Sequence, residues 1–143
     1  MKSQTELDKI LLPTEVRDDY WVYADNPRPS HNWTERSGKW LLFVPWQKVD
    51  RTWKLIAEET ISGRLGVQSK AATAKQNALA RNSWIKVICV YTYDSDNRED
   101  VTRVRARLRE IGFVKKLSYK SDRATEEGVY ATNTKGRVSL FYE

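Results

Sequence analysis

One loop tryptophan and six basic residues are the side chains of this sequence best suited to holding an anionic ligand. Trp33 lies in the segment DNPRPSHNWTERSG, residues 25–38, whose prolines, asparagines and glycine predict a loop. An indole in such a loop can stack on a base, a contact worth about 1–3 kcal/mol. The alternative is that Trp33 folds back over the protein as a lid.

The six basic residues would line one groove if the third, fourth and fifth predicted strands are neighbours. They are Arg64, Lys70, Lys75, Arg81, Lys86 and Lys120. Lys70 is predicted to share one face of its strand with the small residues Ala72 and Ala74. Their size would leave room for a phosphate beside the Lys70 ammonium. The alternative for Lys70 is a solvated lysine on an edge strand, a usual protection against aggregation. Trp84, which follows the 75–83 loop, would supply a second stacking face or pack on a helix.

The charge of the chain is unevenly placed along its length. Residues 1–62 carry 9 Lys and Arg against 10 Asp and Glu, whereas residues 63–143 carry 16 against 9. The first half has a net charge of −1 and the second half +7, so all of the excess positive charge lies in the second half. This favours an anionic partner such as nucleic acid, a nucleotide or a phosphopeptide. The alternative is that a basic isoelectric point only maintains solubility.

The composition predicts one soluble, cytoplasmic domain without a bound cofactor or metal. A chain of 143 residues is long enough to bury a single core. The one cysteine, Cys89, excludes a disulfide framework or a cysteine-based metal site within the chain and is typical of a reducing compartment. The N-terminus does not resemble a signal peptide, and no segment approaches the roughly 20 apolar residues that cross a bilayer.

The elements that must position these side chains follow from periodicity and turn residues. Residues 1–19 are predicted to be a polar tail, and residues 20–143 a single α+β domain. The stripe of Val49, Trp53, Ile56 and Ile61 predicts a helix over 47–62, and a second helix is predicted over 97–111. Trp40 and Trp53 are predicted to be core residues. Strands are predicted at 20–24, 38–45, 67–74, 85–93, 114–119, 129–132 and 138–143, with a short helical turn at 122–127.

Strands outnumber helices in this pattern, and each long helix follows a strand. We therefore expect a curved, largely antiparallel sheet with the two long helices on one face. The other face must then be solvated or hold a ligand.

The order of short motifs resembles the eukaryotic cap-binding translation initiation factor. In that family a tryptophan and an acidic residue precede a Gly-(Lys/Arg)-Trp strand, a strand and turn lead into an Asn-Arg-Glu helix, and a late Tyr-x-Ser segment leads to a glycine. The corresponding residues here are Trp33, Glu35, Gly38–Lys39–Trp40, Asn97–Arg98–Glu99 and Tyr119–Lys120–Ser121. The chain is more similar still to a small family that includes the basophilic-leukaemia-expressed protein, over roughly residues 20–143.

This resemblance implies a cap-binding-like fold and gives roles to three side chains. Trp33 matches one of the two tryptophans that stack on methylated guanine, and Glu35 matches the acidic residue that binds the base edge, with an offset of one position. Lys75 matches a lysine that binds phosphate. The segment that carries the other tryptophan has no counterpart, so the resemblance does not imply specificity for a methylated cap.

Three functions stay open at this point. The first is binding of a nucleotide or the 5′ region of an RNA, through Trp33, Glu35 and the basic groove. The second follows from some members of the family being labelled as a phosphothreonine lyase domain, and it would need Lys70 or Lys120 as base and His31 as acid on a phosphoprotein. The third is an adaptor that binds proteins through exposed aromatic residues. None of the strong catalytic motifs is recognisable.

Overall fold

A six-stranded antiparallel sheet forms the centre of the protein. The computed structural model describes residues 9–76, 84–123 and 140–143. Along the chain it contains β1 (Trp21–Asp25), β2 (Gly38–Pro45), α1 (Val49–Ile61), β3 (Gln68–Ala72), β4 (Ile85–Thr92), α2 (Arg98–Glu110), β5 (Ser118–Ser121) and β6 (Phe141–Tyr142). The strands lie in the order β1-β3-β4-β2-β5-β6, and every neighbouring pair is antiparallel. The predicted α+β class is confirmed.

The two helices cover one face of the sheet because each presents an apolar stripe. On α1 the stripe includes Val49, Trp53 and Ile56, and on α2 it includes Val101 and Val104, all of them buried. These side chains form one cluster with the inward-facing residues of the strands. Trp40 and Trp53 are 0% and 1% exposed, which confirms both as core residues.

Local signals fix where α2 begins and ends. The side chain of Asn97 accepts a hydrogen bond of 3.0 Å from the backbone N–H of Asp100, which caps the first turn. Arg107 and Arg109 lie in the last turn, where positive charge complements the helix dipole. Gly112 follows with a φ of 116°, a conformation that a residue with a side chain rarely adopts.

The opposite face of the sheet carries no helix among the described residues, and we call it the open face. Side chains alternate along a strand, so the residues that alternate with those packed against the helices must lie on the open face. They include Trp21, Tyr23, Lys39, Leu41, Phe43, Gln68, Lys70, Val87, Cys89, Tyr91, Ser118 and Lys120. Leu41, Cys89, Val67 and Tyr91 form a second, smaller apolar cluster on this side.

The segment predicted as an N-terminal tail packs against the domain from residue 9 to residue 19. It contains a 3-10 helix, Pro13–Glu15, and the Thr14 N–H and hydroxyl both bond to the carboxylate of Asp50 on α1. The Trp53 indole N–H donates to the Leu11 carbonyl at 3.0 Å. These hydrogen bonds and the buried ring of Pro13 attach the described part of the predicted tail to α1.

Most predicted elements lie within a few residues of the observed ones. The exception is the fifth strand, which was predicted over 114–119 but runs from Ser118 to Ser121. The predicted strand at 129–132 and most of the turn at 122–127 lie outside the described residues.

Candidate functional site

The open face brings three lysines and two aromatic rings together at the end where β2 begins and β4 ends. The strand register places Lys39 opposite Tyr91 on one side and opposite Lys120 on the other. Lys70 lies opposite Cys89, which is two residues before Tyr91 on β4. With Trp33 from the preceding loop, we call Trp33, Lys39, Lys70, Tyr91 and Lys120 the lysine cluster.

Lys70 is a half-buried cation held by aromatic rings. Its Nζ lies 3.9 Å from the centroid of the Trp21 ring and 5.8 Å from that of Tyr91. Within the described residues no carboxylate or carbonyl accepts a hydrogen bond from it. Burial lowers the pKa of the Lys70 ammonium, because removing a charge from water disfavours the charged form. An anion placed beside this ammonium would offset that cost.

Trp33 lies at the rim of the lysine cluster. Its ring packs edge-on against Tyr91, with centroids 5.4 Å apart and planes at 60°. Trp33 is 47% exposed, so one side of the indole remains available to a ligand. Burial under the helices, which would have argued against a binding role, does not occur. The lid and the stacking interpretations are both compatible with this position.

The loop that carries Trp33 is fixed to the end of β4 by polar contacts. The Thr34 N–H and hydroxyl both donate to the Tyr93 carbonyl, at 3.1 and 3.0 Å. The Arg36 guanidinium makes two hydrogen bonds to the Asp94 carboxylate, at 3.1 and 2.7 Å. The hydrogen bond from Arg36 lowers the pKa of Asp94 below its usual range. Trp33 is therefore held in place before a ligand arrives.

Lys39 and Lys120 differ in how far their charges are neutralised. The Lys39 ammonium donates to the Asp122 carboxylate at 2.8 Å, and the Ser37 hydroxyl donates to the same carboxylate at 2.6 Å. Lys120 makes no hydrogen bond or ion pair within the described residues. The sequence analysis did not select Lys39, although its alternation with the buried Trp40 would have placed it on the open face.

Three of the other predicted cations lie away from the lysine cluster. Arg64 pairs with Glu59 of α1 at 2.9 Å, on the helix side of the protein. Lys86 shares the covered face with Ile88, and its Nζ lies 5.2 Å from the Trp46 ring. Lys75 lies beyond β3, with its Nζ 3.3 Å from the Asp18 carbonyl.

The third, fourth and fifth strands are not all neighbours, because β2 lies between β4 and β5. Lys70 and Lys120 nevertheless share the open face, whereas Arg64, Lys75 and Lys86 lie away from the lysine cluster. The binding roles of these residues stay predictions. One position along β4 decides the face on which a lysine lies, and Lys86 falls on the covered one. Arg81 lies outside the described residues. Glu35 is exposed two positions after Trp33 and makes no hydrogen bond within them.

His31 belongs to a neighbouring polar cavity. Its ring stacks on that of Tyr93, with centroids 4.3 Å apart and planes at 4°. The cavity has a volume of about 300 Å³, and Asn26 and Arg103 also line it. No hydrogen bond joins His31 to Lys70 or Lys120 in the described part of the chain. The roles of these residues in a lyase stay a prediction, since an acid and a base act on the substrate and need not contact each other.

The buried side chains of Cys89 and Tyr91 at the lysine cluster are not activated for covalent chemistry. Burial raises the pKa of the Cys89 thiol to about 11, which leaves it protonated and a poor nucleophile at neutral pH. Burial also raises the pKa of the Tyr91 phenol well above its ordinary value. These groups can pack against a ligand, but neither is activated to react with it.

Comparison with known proteins agrees with the topology. The model of the family described as basophilic leukemia-expressed protein Bles03 matches residues 28–126, more than half of the chain. The chain belongs to the Bles03 family. The matched region runs from the loop that carries Trp33 to just beyond Lys120, so it contains the whole lysine cluster.

The fold of this Bles03 family member is similar to that of a schistosome eIF4E. That protein was crystallised with m7GpppA and 4E-BP. The TM-score is 0.65 at 13% sequence identity, and the match covers 97% of this chain and 78% of the schistosome chain. At this identity the likeness establishes the fold alone, and it confirms the predicted cap-binding-like architecture.

Two further properties concern the described residues only. None of their helices is long and apolar enough to cross a membrane. Their His, Cys, Asp and Glu side chains also form no group of three or more that could hold a metal ion.

Proposed function

We propose that this protein binds a phosphate-bearing ligand, a nucleotide or the 5′ region of an RNA, at the lysine cluster. The observation that carries the proposal is the half-buried Lys70 ammonium, which lies between two aromatic rings and makes no hydrogen bond or ion pair with a carboxylate among the described residues. Such a cation is stabilised when an anion binds, and phosphate is the anion that a nucleotide supplies.

The arrangement of the other members of the cluster supports the same ligand. Trp33 offers an exposed indole face for a base, while Lys70 and Lys120 would contact the phosphates. The cap-binding-like fold adds support, since the similar schistosome protein was crystallised with a dinucleotide cap analogue. Among the described residues Tyr91 is the aromatic ring that packs against Trp33, and no second tryptophan faces it. We therefore assign one stacking surface and no methyl specificity.

Tryptophan fluorescence tests the proposal directly. We expect GTP to quench the emission with a midpoint below about 1 mM, and guanosine to quench far less because it carries no phosphate. The GTP affinity should fall as the salt concentration is raised. Binding to the lysines releases cations from the GTP phosphates, and added salt opposes that release. No quenching by GTP at millimolar concentration would reject the proposal.

A matched pair of RNAs distinguishes a nucleotide site from an RNA site. We expect an oligonucleotide with a 5′-triphosphate to compete with GTP, and the same sequence with a 5′-hydroxyl to compete much more weakly. Equal competition by the two RNAs would show that the 5′ phosphates are not what the protein recognises.

A further inference from the structure

A cleft interrupts the sheet between β2 and β5. The register that pairs Lys39 with Lys120 and Leu41 with Ser118 would place Lys116 opposite Phe43. Pairing nevertheless stops at Leu41. Beyond this point a cleft of about 300 Å³ opens between residues 42–45 of β2 and residues 112–117, while β4 pairs with β2 along its whole length.

Arg105 holds the far wall of this cleft away from β2. The Arg105 side chain is fully buried, and its guanidinium donates to the carbonyls of Phe113, Lys115 and Glu143 at 2.9, 2.7 and 2.8 Å. Leu117 is also engaged elsewhere, because it exchanges two backbone hydrogen bonds with Glu143. The segment is thus attached to α2 and to the C-terminal strand, and the opening is built into the fold.

The backbone of Phe43 points into the cleft. Across the same edge of β2, the Asp122 N–H donates to the Ser37 carbonyl, whereas the Trp46 N–H donates to the Trp84 carbonyl on the β4 side. Backbone groups alternate between the two edges of a strand, so odd-numbered positions here face away from β4. The N–H and C=O of Phe43 therefore face the cleft, where no described strand receives them.

The surroundings of this edge are apolar and positively charged. Phe43 and Val114 are 65% and 71% exposed, and both line the same cleft. Apolar side chains exposed together, rather than singly, are typical of an interaction surface. Lys115 lines the opening, the next residue is the exposed Lys116, and none of the described lining residues is acidic. An unpaired strand edge with these neighbours is complementary to an extended peptide that carries acidic and apolar side chains in alternation.

We propose that the cleft between β2 and the 112–117 segment binds an acidic, extended segment of a partner protein by β-strand addition. The segment pairs with the Phe43 backbone, lays its apolar side chains against Phe43 and Val114, and directs its carboxylates to Lys115 and Lys116. This site is separate from the lysine cluster, and its occupancy does not depend on a nucleotide.

Nuclear magnetic resonance of the full chain with a defined probe tests the proposal. The probe is an acetylated, amidated hexapeptide that alternates glutamate and valine. We expect it to shift the amide signals of residues 42–44 and 113–117. Two control peptides should fail to do so, one alternating lysine and valine, and one in which the amides facing β2 are N-methylated and cannot donate.

Charge-reversal variants check the same site from the protein side. The double variant K115E/K116E should weaken binding of the acidic hexapeptide by about tenfold, because two rim charges are reversed. K54E, on the exposed surface of α1, is the matched control and should bind as the unmodified chain does. Retained signal dispersion in both variants shows that they fold.

Three results would overturn the proposal. Equal binding of the N-methylated peptide would show that the strand edge is not used. Shifts confined to the lysine cluster, or no shifts, would show that the cleft does not take such a peptide. A dimer in sedimentation experiments that F43E converts to monomer would assign the edge to a second copy of this chain.

Discussion

The open face has two ends that share one pattern of alternation but differ in what they expose. In the lysine cluster Tyr91 is buried and Lys70 is half-buried, and the Thr34 and Arg36 contacts hold the loop whose Trp33 packs edge-on against Tyr91. At the other end of the same strands, Phe43 and Ile85 are exposed and apolar. We refer to this second region, together with Val87, as the apolar end.

The difference lies in preorganisation and charge. A cation that is already desolvated and oriented loses little freedom when it binds an anion, so the lysine cluster suits a small charged ligand. Exposed apolar side chains gain most from contact with another apolar surface, and the apolar end therefore suits a polypeptide. One sheet can present both because a short β5 leaves β2 half uncovered.

Reversing the charge of Lys70 should have the largest effect on this contrast. K70E replaces the desolvated ammonium with a carboxylate, and we expect GTP affinity to fall by about hundredfold because an anion would meet a buried like charge. F43E puts the same carboxylate at the apolar end of the same face and should leave GTP affinity nearly unchanged. Isothermal titration of both variants measures the difference. Equal losses would show that the two ends do not differ in function.

Removing the indole of Trp33 should have the next largest effect. W33A loses one stacking surface, and we expect GTP affinity to fall by about tenfold, within the range measured for base stacking on aromatic side chains. W84A removes another exposed indole at the start of β4, near the apolar end, and serves as the matched control. Competition against a fluorescent GTP analogue reports both. A larger loss in W84A than in W33A would move the base site to the other end of the sheet.

The smallest effect is expected from the contact between Arg36 and Asp94, which holds the Trp33 loop. The folded-state pKa of Asp94 is depressed, so this contact stabilises the loop fully above the unfolded pKa of about 3.9 and is lost as the pH falls through the lower folded value. At pH 7 we expect D94N to lower GTP affinity by less than about threefold.

Thermal unfolding at several pH values measures the same contact. The difference in melting temperature between D94N and the unmodified chain should shrink as the pH is lowered from about 6 to about 3. The control is D96N, whose carboxylate is 77% exposed and 3.3 Å from the Arg36 Nε. An equal, pH-independent loss in both variants would contradict the assignment to Asp94.

Parts of the candidate site could be predicted from the sequence, and parts could not. The Pro- and Asn-rich composition around Trp33 correctly predicted a loop, and it left open whether the indole stacks on a ligand or folds back as a lid. Alternation with Ala72 and Ala74 indicated the face on which Lys70 lies, and the structure agrees. The core positions of Trp40 and Trp53 were also recognisable, because each lies on an apolar stripe within one segment.

The errors concern contacts between distant parts of the chain. Arg64 was assigned to the groove, but it pairs with Glu59, and the same carboxylate also binds Arg107 of α2. Lys86 was assigned by charge alone, whereas the register of β4 puts it on the covered face. Lys39 was missed because its importance comes from lying beside Tyr91 on a neighbouring strand.

The sequence by itself determined the two amphipathic helices, the apolar strands and the loop around Trp33, because these depend on periodicity and turn chemistry within one segment. Only the tertiary structure decided which cations meet, that Lys70 lies between Trp21 and Tyr91, and that β2 keeps a partly uncovered edge. The reason is physical: strand order and register join residues that are 17 (Ala71 and Ile88) to 83 (Gly38 and Ser121) positions apart, and a shift of one position moves a side chain to the opposite face.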